Sequence, residues 1–382
     1  MPDPAKVRIR VYATQSTHKT LSSMRQGSMI HIWDEDFVRK SEAAFHEAYM
    51  THTSTSANYQ ILASLDVGRR QVEFEGHELV EKAIELGMLL RRTIREHDKL
   101  RKWFDIITIG ELIPKEHRES GIEGYYSRER GWPDIEKAWA EDEFALDPTK
   151  INLFTGKTGI DGDTFKNQYL MDKYAIQVNK TSRNSVLFMT NIGTTRGSLA
   201  YLTKVLLQIA DDLETRNAGM DHAERKMHLG RIRSLVEEVP PLPDFTSFHR
   251  SFLGQPGVPG GDIRAAYFLA YKHQNCEHLK LDECLKVMAS GRELVSASFV
   301  IPYPPGFPVL VPGQVIDEEI INFLLAIDVK EIHGYREELG LVVFTDATLG
   351  RQKTGTALGG MRMPAMPGAN GNARTAKKSK HT

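Results

Sequence analysis

The chain has 382 residues, 41% of them hydrophobic, and its 49 Lys and Arg nearly balance 50 Asp and Glu for a formal net charge of -1. That length and apolar content allow two or three domains with buried cores and exclude a disordered chain, while the near-zero charge supplies no field to draw it to nucleic acid or anionic lipid. Only two cysteines, Cys276 and Cys284, no apolar run approaching the ~20 residues of a membrane span, and no basic-then-apolar leader together predict a cytoplasmic protein without a disulfide scaffold.

Residues 1–6 are a short polar leader. Residues 8–12 alternate β-branched or aromatic with polar side chains and predict a strand; 28–33 predict a second. Between them stand a Ser16-Thr17-His18-Lys19 cluster and then Leu21, Met24 and Arg25, whose spacing predicts one or two helical turns. Four hydroxyls in a row, Thr53 to Ser56, make a poor helix interior because they compete for backbone hydrogen bonds. They suit an anion-binding turn or the N-cap of the next helix. Helices are predicted over 59–70 and 77–99. In the second, Leu79, Val80, Ala83, Ile84, Leu86, Met88, Leu90 and Ile94 form a broad apolar face that belongs in a core. Residues 103–111 predict a strand and its end, 121–141 an irregular connection or short helix, and 147–155 a turn feeding a strand. Gly156-Lys157-Thr158-Gly159 looks like the tail of a phosphate-binding P-loop, but Ile151 stands where the first glycine belongs, which excludes a nucleotide site.

Further on, 165–173 predicts a helix, 175–180 and 185–190 strands, and 198–213 an apolar helix that closes this domain. Polar residues 217–227 mark a boundary, Pro240-Pro241-Leu242-Pro243 a stiff connector, and 254–261 a loop before the last module opens at Asp262. His273, Cys276, His278 and Cys284 lack the paired spacing of a structural metal site, so no metal is expected. A strand over 295–300 leads into residues 301–314, where five prolines and two glycines predict a rigid loop. A helix over 318–327 and a strand over 341–344 follow. From Gly350 the chain carries seven Lys or Arg and no Asp or Glu. That composition predicts a disordered basic tail, with a nucleic-acid arm as the alternative.

Ser16-Thr17-His18-Lys19-Thr20-Leu21 followed by Gly27-Ser28-Met29-Ile30-His31 resembles the cofactor-lysine segment of the bacterial ornithine/lysine/arginine decarboxylases, which are fold type I pyridoxal phosphate enzymes. Four further blocks match the same family in the same order: 49–59, 147–155, 178–197 and 302–314. The third looks most like a subgroup that includes lysine decarboxylases of pseudomonads. Departures are Ala57 for a proline and Gln314 for a glutamate. The resemblance implies an α/β fold, the C-terminal part of an aspartate aminotransferase-like enzyme followed by an α+β domain. Residues 1–70 would end the large cofactor-binding domain and 71–215 form the small α/β domain. Residues 216–350 would form the decarboxylase C-terminal domain and 351–382 the basic tail.

The implied cofactor is pyridoxal 5'-phosphate, an electron sink for the carbanion left when carbon dioxide departs. Lys19 would be the catalytic Schiff-base residue. Ser16 and His18 would contact the cofactor phosphate, and Thr55 and Ser56 would reach that of a neighbouring subunit. Asn179 would stand at a specificity position where many members carry Glu to hold the distal amine of a basic substrate. The implied activity is decarboxylation of lysine, arginine or ornithine to a diamine or polyamine precursor. The implied assembly is a homo-oligomer or a pairing with a longer decarboxylase chain, with no nucleic-acid or membrane partner. The resemblance covers nearly all of this sequence but only the C-terminal half of a family member. The acidic partner of the pyridine nitrogen, the ring stacked on the cofactor and an upstream phosphate loop would therefore lie outside it. The expectation is a chain incomplete as an isolated catalyst; the alternative is a non-catalytic truncated subunit that pairs with a full-length decarboxylase. The proline-rich module argues against a transaminase.

Overall fold

The two N-terminal strands form as expected: β1 (Arg10–Gln15) runs antiparallel to β2 (Met29–Asp34), in register from Arg10 opposite Asp34 to Gln15 opposite Met29. The coordinates are those of a computed structural model, which describes residues 8–122, 133–238, 240–253, 260–303, 306–327 and 331–351. The chain divides into two units, Met1–Pro240 and Pro241–Thr382, at the proline-rich connector.

In the first unit a single turn, α1 (Thr17–Thr20), follows β1 directly. It corrects the helix expected around 21–25, because Leu21 leaves helical geometry with ψ -146° and Ser22 and Ser23 offer competing hydroxyls. Next come α2 (Glu42–His52) and α3 (Tyr59–Glu96). The two helices expected over 59–70 and 77–99 are one element of 38 residues. Gln71, Val72, Glu73, Phe74 and Glu75 sustain it, and a lone Gly76 costs only about 1 kcal/mol in a helix. Asn58 caps α3, its side chain accepting from the Gln60 and Ile61 amides, so Thr55 and Ser56 are not the N-cap.

After α4 (Asp98–Trp103), β3 (Asp105–Ile106) is shorter than expected and gives way to α5 (Ile109–Leu112), capped by Thr108 and Glu111. Of residues 121–141, 123–132 lie outside the described residues, and α6 (Pro133–Glu141) is helical. Asp147 accepts from the Thr149 amide and hydroxyl, making the expected turn into β4 (Lys150–Phe154). Helical turns α7 (Gly162–Thr164) and α8 (Asp172–Tyr174) flank a π-helical Phe165–Met171. Ala175 adopts φ +53°, which interrupts the strand expected over 175–180 and leaves only β5 (Lys180–Thr181). With β6 (Ser185–Met189) these strands make an antiparallel sheet in the order β3-β4-β6-β5. Residues 217–227, read as a boundary, are instead the end of α9 (Arg196–Gly219), a short turn and the start of α10 (His222–Val236).

The core of this unit follows from spacing. Leu199, Leu202, Leu206, Ile209 and Leu213 recur at steps of three and four and lay one face of α9 against Leu86, Leu90 and Ile94 of α3 and Ile151 and Leu153 of β4. Each such side chain stabilises by roughly 1.5–3 kcal/mol on burial. No such support exists at the front. In α2 no residue is buried, and along α3 Tyr59, Leu62, Val67 and Phe74 are exposed. Gly230, inside exposed α10, has open space where a Cβ would stand. Gly230→Ala is therefore expected to stabilise the chain by about 0.5–1 kcal/mol, read as a higher urea midpoint with unchanged slope.

The second unit carries α11 (Ile263–Ala270), β7 (Cys276–Leu279), α12 (Leu281–Ala289), β8 (Leu294–Val295), β9 (Ile301–Tyr303), β10 (Val315–Ile316) and α13 (Glu318–Ala326). It closes with β11 (Glu331–His333), β12 (Tyr335–Arg336), β13 (Gly340–Phe344) and α14 (Asp346–Arg351). The sheet order β12-β13-β7 and the pairs β8–β10 and β9–β11 enclose Leu281, Leu294, Ile320, Leu324, Leu341 and Val343. Of the strand expected over 295–300, only Val295 lies in β8, followed by isolated bridges at Ser296 and Val300, and β9 starts at Ile301. Cys284 belongs to that core, and its thiol is pushed up to about 11, mainly by burial. Within 301–314, residues 304–305 lie outside the described residues; Gly306 and Gly313 take positive φ, as a tight proline-rich turn requires. Gly350 and Arg351 finish α14 rather than starting a tail, and 352–382 lie outside the described residues.

Candidate active site

Lys19 sits on α1, at the end of β1. The turn has no side-chain cap of its own at its N-terminus; it is closed by backbone bonds from Lys19 N–H to the Ser16 carbonyl (3.0 Å) and from Leu21 N–H to the Thr17 carbonyl (3.1 Å). The Lys19 side chain is exposed and makes no ion pair or side-chain hydrogen bond among the described residues. Ser16 is exposed beside it, and Thr17 between them is fully buried with a hydroxyl that has no partner among the described residues. His18 is half-buried, with Nδ1 3.0 Å from the Gly27 carbonyl. A carbonyl only accepts, so Nδ1 carries the proton and Nε2 is the ring nitrogen left for a ligand.

Three parts of the first unit hold this loop. From α3, the Ser64 hydroxyl accepts the Met24 amide at 2.9 Å, and Gly68, one turn on, lies so close to Ser22 that a Cβ there would stand 1.9 Å from its carbonyl oxygen. Within the loop, Gln26 takes φ +73°, which turns the Gly27 carbonyl back toward His18. From the turn after β6, Asn191 Nδ2 donates to the Lys19 carbonyl (3.2 Å) and Ile192 N–H to the Thr20 carbonyl (3.3 Å). Sequence reasoning missed Ser64, Gly68 and Asn191. A glycine inside an otherwise sound helix was the available signal for Gly68; nothing local marks the other two.

The β1–β2 pair ends in a charged cluster. Asp36, 2% exposed, accepts from Arg8 (2.8 Å), Arg10 (2.6 Å), Arg39 (2.7 Å) and Lys40 (2.8 Å). The bond from Lys40, then those from Arg10 and Arg39, hold its carboxyl well below the usual carboxylate range against the opposing effect of burial. A depressed carboxylate stabilises fully above its unfolded value, near ~3.9, and the contribution is lost as pH falls through the folded value. Asp36→Asn is thus expected to lower the urea midpoint at pH 7, with the gap to the natural chain closing as pH is taken down toward 2.

The other expected site residues are not joined to this turn. Thr55 and Ser56 lie in the exposed link between α2 and α3, where the Ser56 amide donates to the Ser54 hydroxyl at 3.1 Å. Asn179 is exposed just before β5 and binds through its amide to the Leu187 carbonyl at 2.9 Å. No hydrogen bond links any of the three to residues 16–27 among the described residues. Among them also no helix is long and apolar enough to cross a membrane.

Among the described residues the site has a primary amine, exposed and unpaired, on a turn flanked by a serine, a buried hydroxyl without a partner and an oriented imidazole. Comparison with known proteins gives it a context. Residues 4–198 match the model of the Orn/Lys/Arg decarboxylase major domain, and residues 264–347 that of the Orn/Lys/Arg decarboxylase C-terminal domain. The chain belongs to the Orn/Lys/Arg decarboxylase family. It is 29% identical over 356 residues to lysine decarboxylase of Hafnia alvei, covering 84% of this chain and 44% of that protein. It is also 29% identical over 347 residues to the inducible lysine decarboxylase of Escherichia coli K12, covering 82% and 44%. Other relatives are named ornithine and arginine decarboxylases. The crystal structure of Francisella novicida lysine decarboxylase superposes with a TM-score of 0.55 at 24% identity, over 87% of this chain and 48% of that one, which establishes the shared fold. The α/β architecture followed by a decarboxylase C-terminal domain is therefore as expected. This decarboxylase-family chain spans less than half the length of the two curated relatives named first.

Proposed function

We propose that this chain supplies the lysine-bearing part of a pyridoxal 5'-phosphate-dependent decarboxylase of lysine, ornithine or arginine. The observation that carries the reading is Lys19, an amine unpaired among the described residues, on a turn at the end of β1 whose carbonyls are met by two bonds from one distant segment, Asn191 and Ile192. The residues fit the cofactor. Ser16, Thr17 and His18 bring two hydroxyls and one ring nitrogen to the same turn, and the buried Thr17 hydroxyl lacks a partner. The cofactor, when bound, withdraws electrons from the carbon that loses carboxylate. Lys19 would hold it through its amine, which would also carry the proton that carbon receives. Ser16 would donate to its phosphate. His18, with Nδ1 committed to Gly27, would present Nε2 to the phosphate. Thr55 and Ser56 serve a neighbouring subunit, and Asn179 bears on substrate choice by offering an amide where a carboxylate would hold the distal amine.

A second reading is a non-catalytic subunit that pairs with a longer decarboxylase. The front of the first unit favours it: Val11, Tyr12, Ile30 and Trp33 are exposed on a sheet that has two strands among the described residues. Such a pair is marginal in water and needs covering. Mixing the full chain with a family member whose own cofactor lysine is replaced by alanine separates the two. Carbon dioxide release from lysine, ornithine or arginine that returns on mixing supports the enzyme. Co-elution with no release favours the pairing subunit.

A further inference from the structure

The turn that carries Lys19 has four residues, far fewer than an isolated helix needs, and its last carbonyls have no intrahelical partner. Two of them are met from 172 residues away: the Lys19 carbonyl by Asn191 Nδ2, and the Thr20 carbonyl by the Ile192 amide. The Asn191 amide cannot be reversed. Its Oδ1 accepts from the Gly193 N–H at 3.0 Å and from the Thr194 hydroxyl at 3.3 Å, so only the NH2 is left to face Lys19. That turn is itself braced, with the Asn191 N–H donating to the Thr194 hydroxyl (2.9 Å), the Thr194 N–H to the Asn191 carbonyl (2.9 Å), and Thr195 capping α9. We infer that Asn191 is a positioning residue: an external C-cap, built on the β6–α9 turn, that fixes the backbone of the cofactor lysine. The inference rests on the assignment of Lys19 above, since a cap matters to function only if that amine reacts.

Two substitutions isolate the cap. Asn191→Asp keeps the oxygen that Gly193 and Thr194 use but turns the donor facing Lys19 into a second acceptor, which repels the carbonyl. Asn191→Ala removes both contacts. In the full chain, amide exchange at Leu21, whose N–H closes α1, is expected to quicken about 5- to 10-fold in both variants, the scale of one lost hydrogen bond. Exchange at Thr194 stays unchanged in Asn191→Asp. The rate at which added pyridoxal 5'-phosphate is captured, read by borohydride trapping, falls by a similar factor at Lys19 in both variants, while thermal stability of Asn191→Asp stays near that of the natural chain. Natural exchange at Leu21 and natural capture in Asn191→Asp would overturn the inference. If the natural chain captures nothing, either alone or mixed with a full-length family member, the assignment of Lys19 fails, and Leu21 exchange, measured without cofactor, still decides whether the cap exists.

Discussion

Lys19→Ala is expected to abolish capture of pyridoxal 5'-phosphate and to leave the fold intact. The side chain is exposed and holds nothing in place, and alanine is at least as good as lysine in a helical turn, so stability should move by no more than about 0.5 kcal/mol. The chemistry has no such tolerance. Only a primary amine forms with an aldehyde an imine that borohydride fixes, and none of Ser16, Thr17 or His18 can substitute, so the trapped label at this position should disappear and any decarboxylation regained by mixing should fall by at least about a thousandfold. A urea titration beside the labelling shows that the loss is chemical. Lys19→Arg, which keeps the charge but not the nucleophile, should behave as alanine does.

Gly68→Ala should injure the same site by a different route. In an exposed helix this exchange stabilises by about 1 kcal/mol, as expected for Gly230. At Gly68 the new carbon would stand 1.9 Å from the Ser22 carbonyl oxygen, a backbone atom that no rotamer change can move. Either α3 or the 20–24 segment must shift, and the segment is the weaker, being tied to that helix among the described residues by one hydrogen bond, from Met24 N–H to Ser64. The expected cost is about 1–3 kcal/mol. Capture at Lys19 should fall about tenfold or more, since a displacement near 1 Å at a reacting group can cost a hundredfold. A stability gain like that of Gly230→Ala would show that α3 does not press on this loop.

Much of the fold could be read from local pattern. The Lys19 segment, its flanking strands, the apolar stripe of α9 and the turn before β4 all follow from alternation, helical spacing or a capping side chain. The misreadings share a cause. Nothing in 71–76 is a strong enough breaker to end a helix, so a polar interval inside α3 looked like a gap. The strand expected over 175–180 was undone by one left-handed alanine, a conformation its side chain does not announce. The β8–β10 region draws its pairing from residues far along the chain, which alternation cannot specify. The lysine was legible because its neighbours in sequence carry the pattern. What holds it, Ser64, Gly68 and Asn191, was not, because each acts through a contact that forms only after the chain has folded.

Thr55, Ser56 and Asn179 differ in kind from Lys19. No hydrogen bond ties them to the lysine turn among the described residues, and Tyr59, Leu62 and Val67 of α3 and Val11, Tyr12, Ile30 and Trp33 of β1–β2 are exposed. A site assembled with a second polypeptide would join them there, and the proposed pairing experiment bears on that assembly as well as on activity.

The most direct measurement is peptide mapping of the full chain after borohydride reduction with pyridoxal 5'-phosphate, alone and after mixing with a full-length family member. One dominant pyridoxyl group is expected, on the peptide that contains Lys19, and none there in Lys19→Ala. An unmodified Lys19 in both samples, or label spread evenly over the surface lysines, would contradict it.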